Sequence, residues 1–274
     1  MAYDYSMLST HQADGVMWVT VDAPPINVIT PELFGQLAAF THEVAADDAV
    51  GAVVLQSADP DFLLAHFDVA ALVASPMREG EPTRPEHLNS YHVMCEAWRT
   101  MPKATLVKVA GRVGGGGAEL AASADMRFGL LGKTIVNQME VPIGILPGGT
   151  GTQRLPRLIG RGRALEVVLG GIDLDAATAE RWGWLNRAFA TMSELDAYVD
   201  GLARRIAGFP REAVALAKAS VQFAEPDPVP GLLEEIHLFT RLMQLPASRE
   251  RMQAFLDAGG QTREGELRVA DLLA

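Results

Sequence analysis

The alternation and clustering of apolar residues predict short strands separated by helices along most of the chain. Residues 15–22, GVMWVTVD, alternate well enough for a strand, which Ala23-Pro24-Pro25 must end because proline removes a ladder donor. Thr30-Pro31-Glu32 supplies an N-cap, a proline at the first helical position and an early acid, predicting a helix through His42. Residues 50–56, VGAVVLQ, read as a buried strand, and Ser57 to Asp61 turns the chain into FLLAHFDVAAL, an apolar loop entering a helix. Charge, proline and glycine over residues 75–85 predict a mobile surface loop.

Helical spacing of Leu88, Tyr91, Met94, Cys95 and Trp98 marks residues 87–100, and ATLVKVA at 104–110 is a further strand. The glycines 114–117 then run into the apolar Ala118-Glu119-Leu120-Ala121-Ala122, giving strand, tight turn and helix. Short strands follow at 125–129, 134–137 and 185–190, with helices at 163–169 and from the cap Asp175 to the stop Gly183. From Ser193 onward the pattern is helix after helix: 193–207, 210–223, 230–245 and 248–258, closed by Gly259-Gly260. The class is therefore α/β, with a mixed core over residues 1–192 and a helical region over 193–274. By composition the sharpest interruption is EPDPVPG at 225–231.

Composition narrows the function classes. With 34 acidic against 23 basic residues the net charge of −11 disfavours nucleic acid and anionic membranes as partners. A single cysteine, Cys95, excludes an internal disulfide framework and fits a reducing cytoplasm. No apolar run reaches the ~18 residues of a membrane span, and MAYDYSMLST does not read as a secretion signal. The glycine run lacks the Gly-Lys-Ser/Thr of a P-loop, and neither G-x-G-x-x-G nor G-x-S-x-G occurs. His42-Glu43 has no second histidine at zinc-protease spacing, and His87 and His92 are five apart, off one helical face.

Two carboxylates stand out. Glu119 lies in the first turn of a helix that starts at Ala118, directly after four glycines, where unpartnered amides face outward and offer N–H groups to a developing negative charge. It reads either as a solvated first-turn glutamate favoured by the helix dipole or as a buried working carboxylate. Glu140 lies between Met139 and Val141 in a nearly uncharged segment, where a charge is costly unless neutralised, paired or used. The alternative is a loop glutamate turned to water. Two glutamates in apolar settings beside a backbone donor site point to acid and base work on a carbonyl compound.

VGGGGAELAASADMRF, NQMEVPIGILPGGTGTQRLPRLIG and LGGIDLDAATAERWGWLNRAF, in that order, resemble the enoyl-CoA hydratase/isomerase (crotonase) family. PPINVIT and PDFLLAHFDVAAL add to the likeness, which spans roughly residues 15–190. The resemblance implies a spiral of strand-strand-helix turns with a C-terminal helical extension used in contacts of a homotrimer or dimer of trimers. It implies an acyl-CoA thioester substrate, a role in fatty acid metabolism, and no metal or redox cofactor. Phe67 and Gly116 map to the two amides of the oxyanion hole, and Glu119 and Glu140 to the two glutamates that flank the double bond of a 2-enoyl thioester. Substrate contacts are implied for Ile26, Leu64, Ala65, His66, Gly115 and Met139. Keeping both glutamates favours hydration, with Glu119 activating water and Glu140 supplying a proton. Relatives that shift a double bond typically retain only the position of Glu140, so isomerisation is the runner-up, and a noncatalytic acyl-CoA binder is the third reading.

Two departures bear on the site. Ala65-His66-Phe67-Asp68 stands where the family usually has an AGAD-like string, so histidine occupies a glycine position where positive φ is expected to be required. His66 either turns outward or packs, or its imidazole meets the CoA or the substrate. The basic stretch that often follows the last helix is missing, leaving Arg78, Arg84 and Arg263 as candidates for the CoA phosphates.

Overall fold

An antiparallel hairpin opens the chain, β1 (Leu8–Ala13) pairing with β2 (Val16–Val21) across a turn in which Asp14 and Gly15 both take positive φ. The computed structural model describes residues 3–77 and 80–273, so Arg78 and part of the predicted 75–85 loop lie outside the described residues. Helix α1 (Pro31–Ala46) is capped by Thr30, whose side chain accepts from the Leu33 amide. It runs a turn past the predicted end because Val44 continues the buried stripe of Leu33, Leu37 and Phe40.

Three strand-strand-helix turns follow. The first is β3 (Ala52–Ser57), β4 (Phe62–Leu64), α2 (Val69–Ala74) and α3 (Ser90–Thr100). The second is β5 (Ala104–Val109), β6 (Arg112–Gly114) and α4 (Gly115–Ser123). The third is β7 (Met126–Leu130), β8 (Ile135–Asn137), α5 (Gly151–Ile159) and α6 (Arg161–Gly170). In each, the first strand joins a six-stranded sheet of order β1-β2-β3-β5-β7-β10, parallel from β2 onward. The second joins a four-stranded sheet of order β4-β6-β8-β9. The edge strands β9 (Leu174–Asp175) and β10 (Arg187–Phe189) flank α7 (Ala176–Trp182), with Asp175 and Gly183 capping it as predicted.

All six positions of β5 are buried, as a parallel strand covered on both faces requires. One cover is α8 (Met192–Ala207), which presents Leu195, Val199 and Ala203 at four-residue spacing and starts in a capping box of Thr191 and Glu194. After it come α9 (Arg211–Gln222), α10 (Val229–Met243), α11 (Pro246–Asp257), α12 (Arg263–Leu267) and α13 (Val269–Leu272). These last helices do not stand apart. Met252 and Phe255 of α11 and Val269 of α13 form one buried cluster with Val69, Met139, Ile143 and Ile145. Among the described residues no helix is long and apolar enough to cross a membrane.

Candidate active site

Helix α4 starts inside the glycine run, not at Ala118 as the sequence suggests, so Glu119 is its fifth residue and the amides of Gly115 to Gly117 form its open end. Gly115 has φ +42°, a left-handed turn that disfavours a side chain. At Gly116 the constraint is space. A Cβ there would lie 3.4 Å from the amide nitrogen of Phe67 and 3.1 Å from Tyr91 Oη.

Phe67 faces this point because of a single parallel bridge to Ile29. The Ile29 amide donates to His66 O at 2.8 Å and the Asp68 amide donates to Ile29 O at 3.1 Å. Residue 67 lies between those bonds, so its own N–H turns to the opposite side. Neither the Phe67 nor the Gly116 amide has an acceptor among the described residues. Tyr91 of α3 braces both: its hydroxyl donates to Gly116 O at 2.6 Å, and its ring meets that of Phe67 edge-on at 5.8 Å.

Glu119 and Glu140 line the same cleft as these two residues, a space of about 270 Å³ walled by apolar side chains that include Phe34, Leu72, Ile143 and Phe239. Both glutamates are buried, 3% and 7% exposed. Oε1 of Glu119 accepts the amides of Gly149 at 2.8 Å and Gly151 at 2.7 Å. Burial, and then the charges of Glu140 and Glu235, hold its carboxyl well above the usual range, against the pull of those two amides. Burial pushes Glu140 up to about 7, with the charge of His66 opposing. Oε2 of Glu140 has no hydrogen-bond partner among the described residues. The two carboxyls thus titrate as a pair in which ionising one disfavours ionising the other.

A third glutamate, from α10, completes the frame. Glu235 accepts the amide of Thr150 at 2.7 Å and that of Thr152 at 3.0 Å, together with the Thr152 hydroxyl. Its Oε1 also meets Nε2 of the buried His92 at 2.9 Å. Thr150, between the two amides that serve Glu119, is held at φ +111°.

His66 and Met139 line the cleft, and Gly115 lies directly beneath it, where a Cβ would touch Glu140 Oε1 and His66 Cβ. Ile26, Leu64 and Ala65 do not line it. Leu64 belongs to the main core, and Ile26 and Ala65 pack with Val28 and Phe62. The positive φ expected at residue 66 is absent, so histidine is accommodated there without left-handed strain. Its ring turns inward, 2% exposed, against Glu266 and Phe255. Arg263 is committed to Asp59, Asp61 and the Pro25 carbonyl, and Arg84 to Glu234. Tyr91, Phe239, Glu235 and the 149–152 amides were not singled out from sequence. Glu235 did leave a signal, a charge on the same helical face as Leu232 in GLLEEIHLF.

Residues 11–263 match the family model described as enoyl-CoA hydratase/isomerase. A probable enoyl-CoA hydratase of Rhizobium meliloti is 31% identical over 259 residues, covering 93% of this chain and 96% of the relative. A crystal structure from Streptomyces avermitilis, provisionally assigned as an enoyl-CoA hydratase, superposes with a TM-score of 0.88 at 38% identity, covering 98% of each chain. The enoyl-CoA hydratase structure from Bacillus halodurans, 20% identical, shares the fold with a TM-score of 0.82 over 91% of this chain and 100% of its own.

Proposed function

Since the chain belongs to the enoyl-CoA hydratase/isomerase family, we propose that it adds water across the double bond of a 2-enoyl-CoA thioester. The observation that carries this reading is the convergence, on one apolar cleft, of two unpartnered amides and two buried carboxyls. The thioester oxygen sits between the N–H groups of Phe67 and Gly116, where each preorganised donor is worth ~3 kcal/mol to an enolate. The open N-terminal end of α4 adds its dipole at the same point.

The reactive form is the one-proton state of the glutamate pair with Glu119 ionised and Glu140 protonated. Gly149 and Gly151 work towards that arrangement by donating to Glu119, against the burial that raises Glu119 and the His66 charge that lowers Glu140, and the partner-free Oε2 of Glu140 is the oxygen that delivers a proton. Glu119 takes a proton from water as its oxygen bonds the β carbon, and Glu140 gives its proton to the α carbon. The pair holds one proton before and after, so no metal or redox group is called for.

The runner-up is a 3-enoyl to 2-enoyl isomerase in which Glu140 alone moves the proton. Rates on graded 2-enoyl and 3-enoyl thioesters, for wild type, Glu119→Gln and Glu140→Gln, separate the two. Hydration lost in both variants supports the proposal. Isomerisation surviving Glu119→Gln replaces it, and tight binding with no turnover replaces both with a noncatalytic acyl-CoA binder. We also propose a homotrimeric assembly, or a dimer of trimers, working in the cytoplasm. The apolar side chains that α9 leaves exposed, Leu216 and Val221, with Phe223 beyond its end, support a covered face.

A further inference from the structure

His66 differs from the other residues of the cleft in carrying two acceptors on one ring. Nδ1 lies 2.7 Å from the carbonyl oxygen of Phe67 and Nε2 lies 3.0 Å from Glu266 Oε1. A carbonyl oxygen can only accept, and Glu266 Oε1 already accepts the Gln261 amide at 2.8 Å. A neutral imidazole has one N–H and leaves one of these contacts without a proton. The doubly protonated ring satisfies both. The attraction of Glu266 agrees, raising the imidazole above its ordinary range despite complete burial, while the His66 charge and the Gln261 amide keep Glu266 low.

The ring is fixed from three directions: Glu266 of α12, the edge of Phe255 in α11 at 5.9 Å, and its own loop through Phe67 O. Gln261 ties the arrangement to the start of α2, donating to Asp68 Oδ1 and accepting the Ala70 amide, each at 2.9 Å. Glu140 Oε1 and His66 Cβ flank the same empty position, 2.7 and 3.0 Å from where a Gly115 Cβ would stand.

We propose that His66, protonated and anchored by Glu266, is a positioning residue that acts through Glu140: a fixed cation beside one of the two cleft carboxyls. The proposal rests on the hydratase reading for its consequence in catalysis, though not for the charge itself. Other charged or titratable groups near the pair are Glu119 on α4, Glu235 on α10, Tyr91 on α3 and, towards Glu266, Arg112 on β6. Of the described groups facing Glu140, His66 alone supplies positive charge. It therefore lowers the pH above which Glu140 gives up the proton that the hydratase reading assigns to it.

Two measurements test this. Imidazole ¹⁵N spectra of the full chain at pH 7, with the His66 signal assigned by its loss in His66→Gln, are expected to show an imidazolium; a neutral ring overturns the proposal. The carboxyl ¹³C titration of Glu140, assigned against Glu140→Gln, is expected to move up by ~1 pH unit in Glu266→Gln and in His66→Gln/Glu266→Gln. The double variant removes both charges together and so guards against misfolding from an unpaired buried charge. The same upward displacement is expected in the pH profile of kcat/KM for a 2-enoyl-CoA. A purely structural role lowers kcat or stability at every pH and leaves both titrations in place, which also overturns the proposal. Wild type that turns over no enoyl-CoA while the carboxyl titration shifts as stated refutes the hydratase reading and leaves the charge assignment standing.

Discussion

Glu119 and Glu235 grip opposite sides of one four-residue stretch. The amides of Gly149 and Gly151 point to Glu119, and those of Thr150 and Thr152 point to Glu235. The alternation follows from an irregular backbone with Thr150 at φ +111°, held by acceptors on both sides. Glu119 is thus set indirectly by a residue of α10.

Glu235→Gln is expected to lower stability by ~1–3 kcal/mol, because an amide offers one acceptor oxygen where the carboxylate served two backbone donors, a hydroxyl and His92. It should reduce kcat more than it raises KM, since the acyl walls are untouched. Thermal unfolding together with steady-state kinetics checks both.

Gly116→Val is expected to cut kcat by ~10²-fold with the fold retained. Its Cβ would stand 3.4 Å from the Phe67 nitrogen, so the branched side chain would fill the position proposed for the thioester oxygen. Circular dichroism and turnover of a 2-enoyl thioester decide the matter; unchanged kcat removes residue 116 from the oxyanion role.

Tyr91→Phe keeps the ring against Phe67 and deletes the 2.6 Å bond to Gly116 O. The expected loss is ~1 kcal/mol of positioning, about fivefold to tenfold in kcat, with little change in melting temperature. A larger fall in melting temperature than in rate would make the hydroxyl structural only.

Stability should depend on pH through Glu140. Its carboxyl is raised from 4.5 to about 7, so the folded chain binds more protons than the unfolded chain in that interval. The associated stability is complete below about 4.5 and is lost as pH rises through 7, a change on the order of 3 kcal/mol. Melting curves of Glu140→Gln and wild type from pH 4.5 to 8 should therefore diverge in favour of the variant as pH rises.

The elements written most plainly in sequence are those with strong periodicity and clear caps. α1 with Thr30 and Pro31, α7 between Asp175 and Gly183, and the long helices after residue 192 all lie within a few residues of expectation. β1 was hidden because it is a polar edge strand in which only Leu8 is buried. α5 is hidden by the glycines at 148, 149 and 151 around its start and by Pro156 inside it. Of the candidate site residues, Glu119 and Glu140 could be singled out because a charge among apolar neighbours is conspicuous. The roles of Tyr91, Glu235 and Glu266 depend on contacts across 25, 83 to 143 and 200 residues of chain, which no local pattern encodes. His66 was conspicuous as a departure, but its partner was not legible.

Glu235, Phe239, Phe255 and Glu266 all reach the cleft or its immediate supports from residues 235–266, well after both sheets. During synthesis the sheets can form while this machinery is still unfinished, and the acid pair acquires its surroundings only once the closing helices have left the ribosome. A nick near Gly259-Gly260 should accordingly leave most of the core folded and abolish the proposed hydration, which circular dichroism and turnover of a 2-enoyl thioester check.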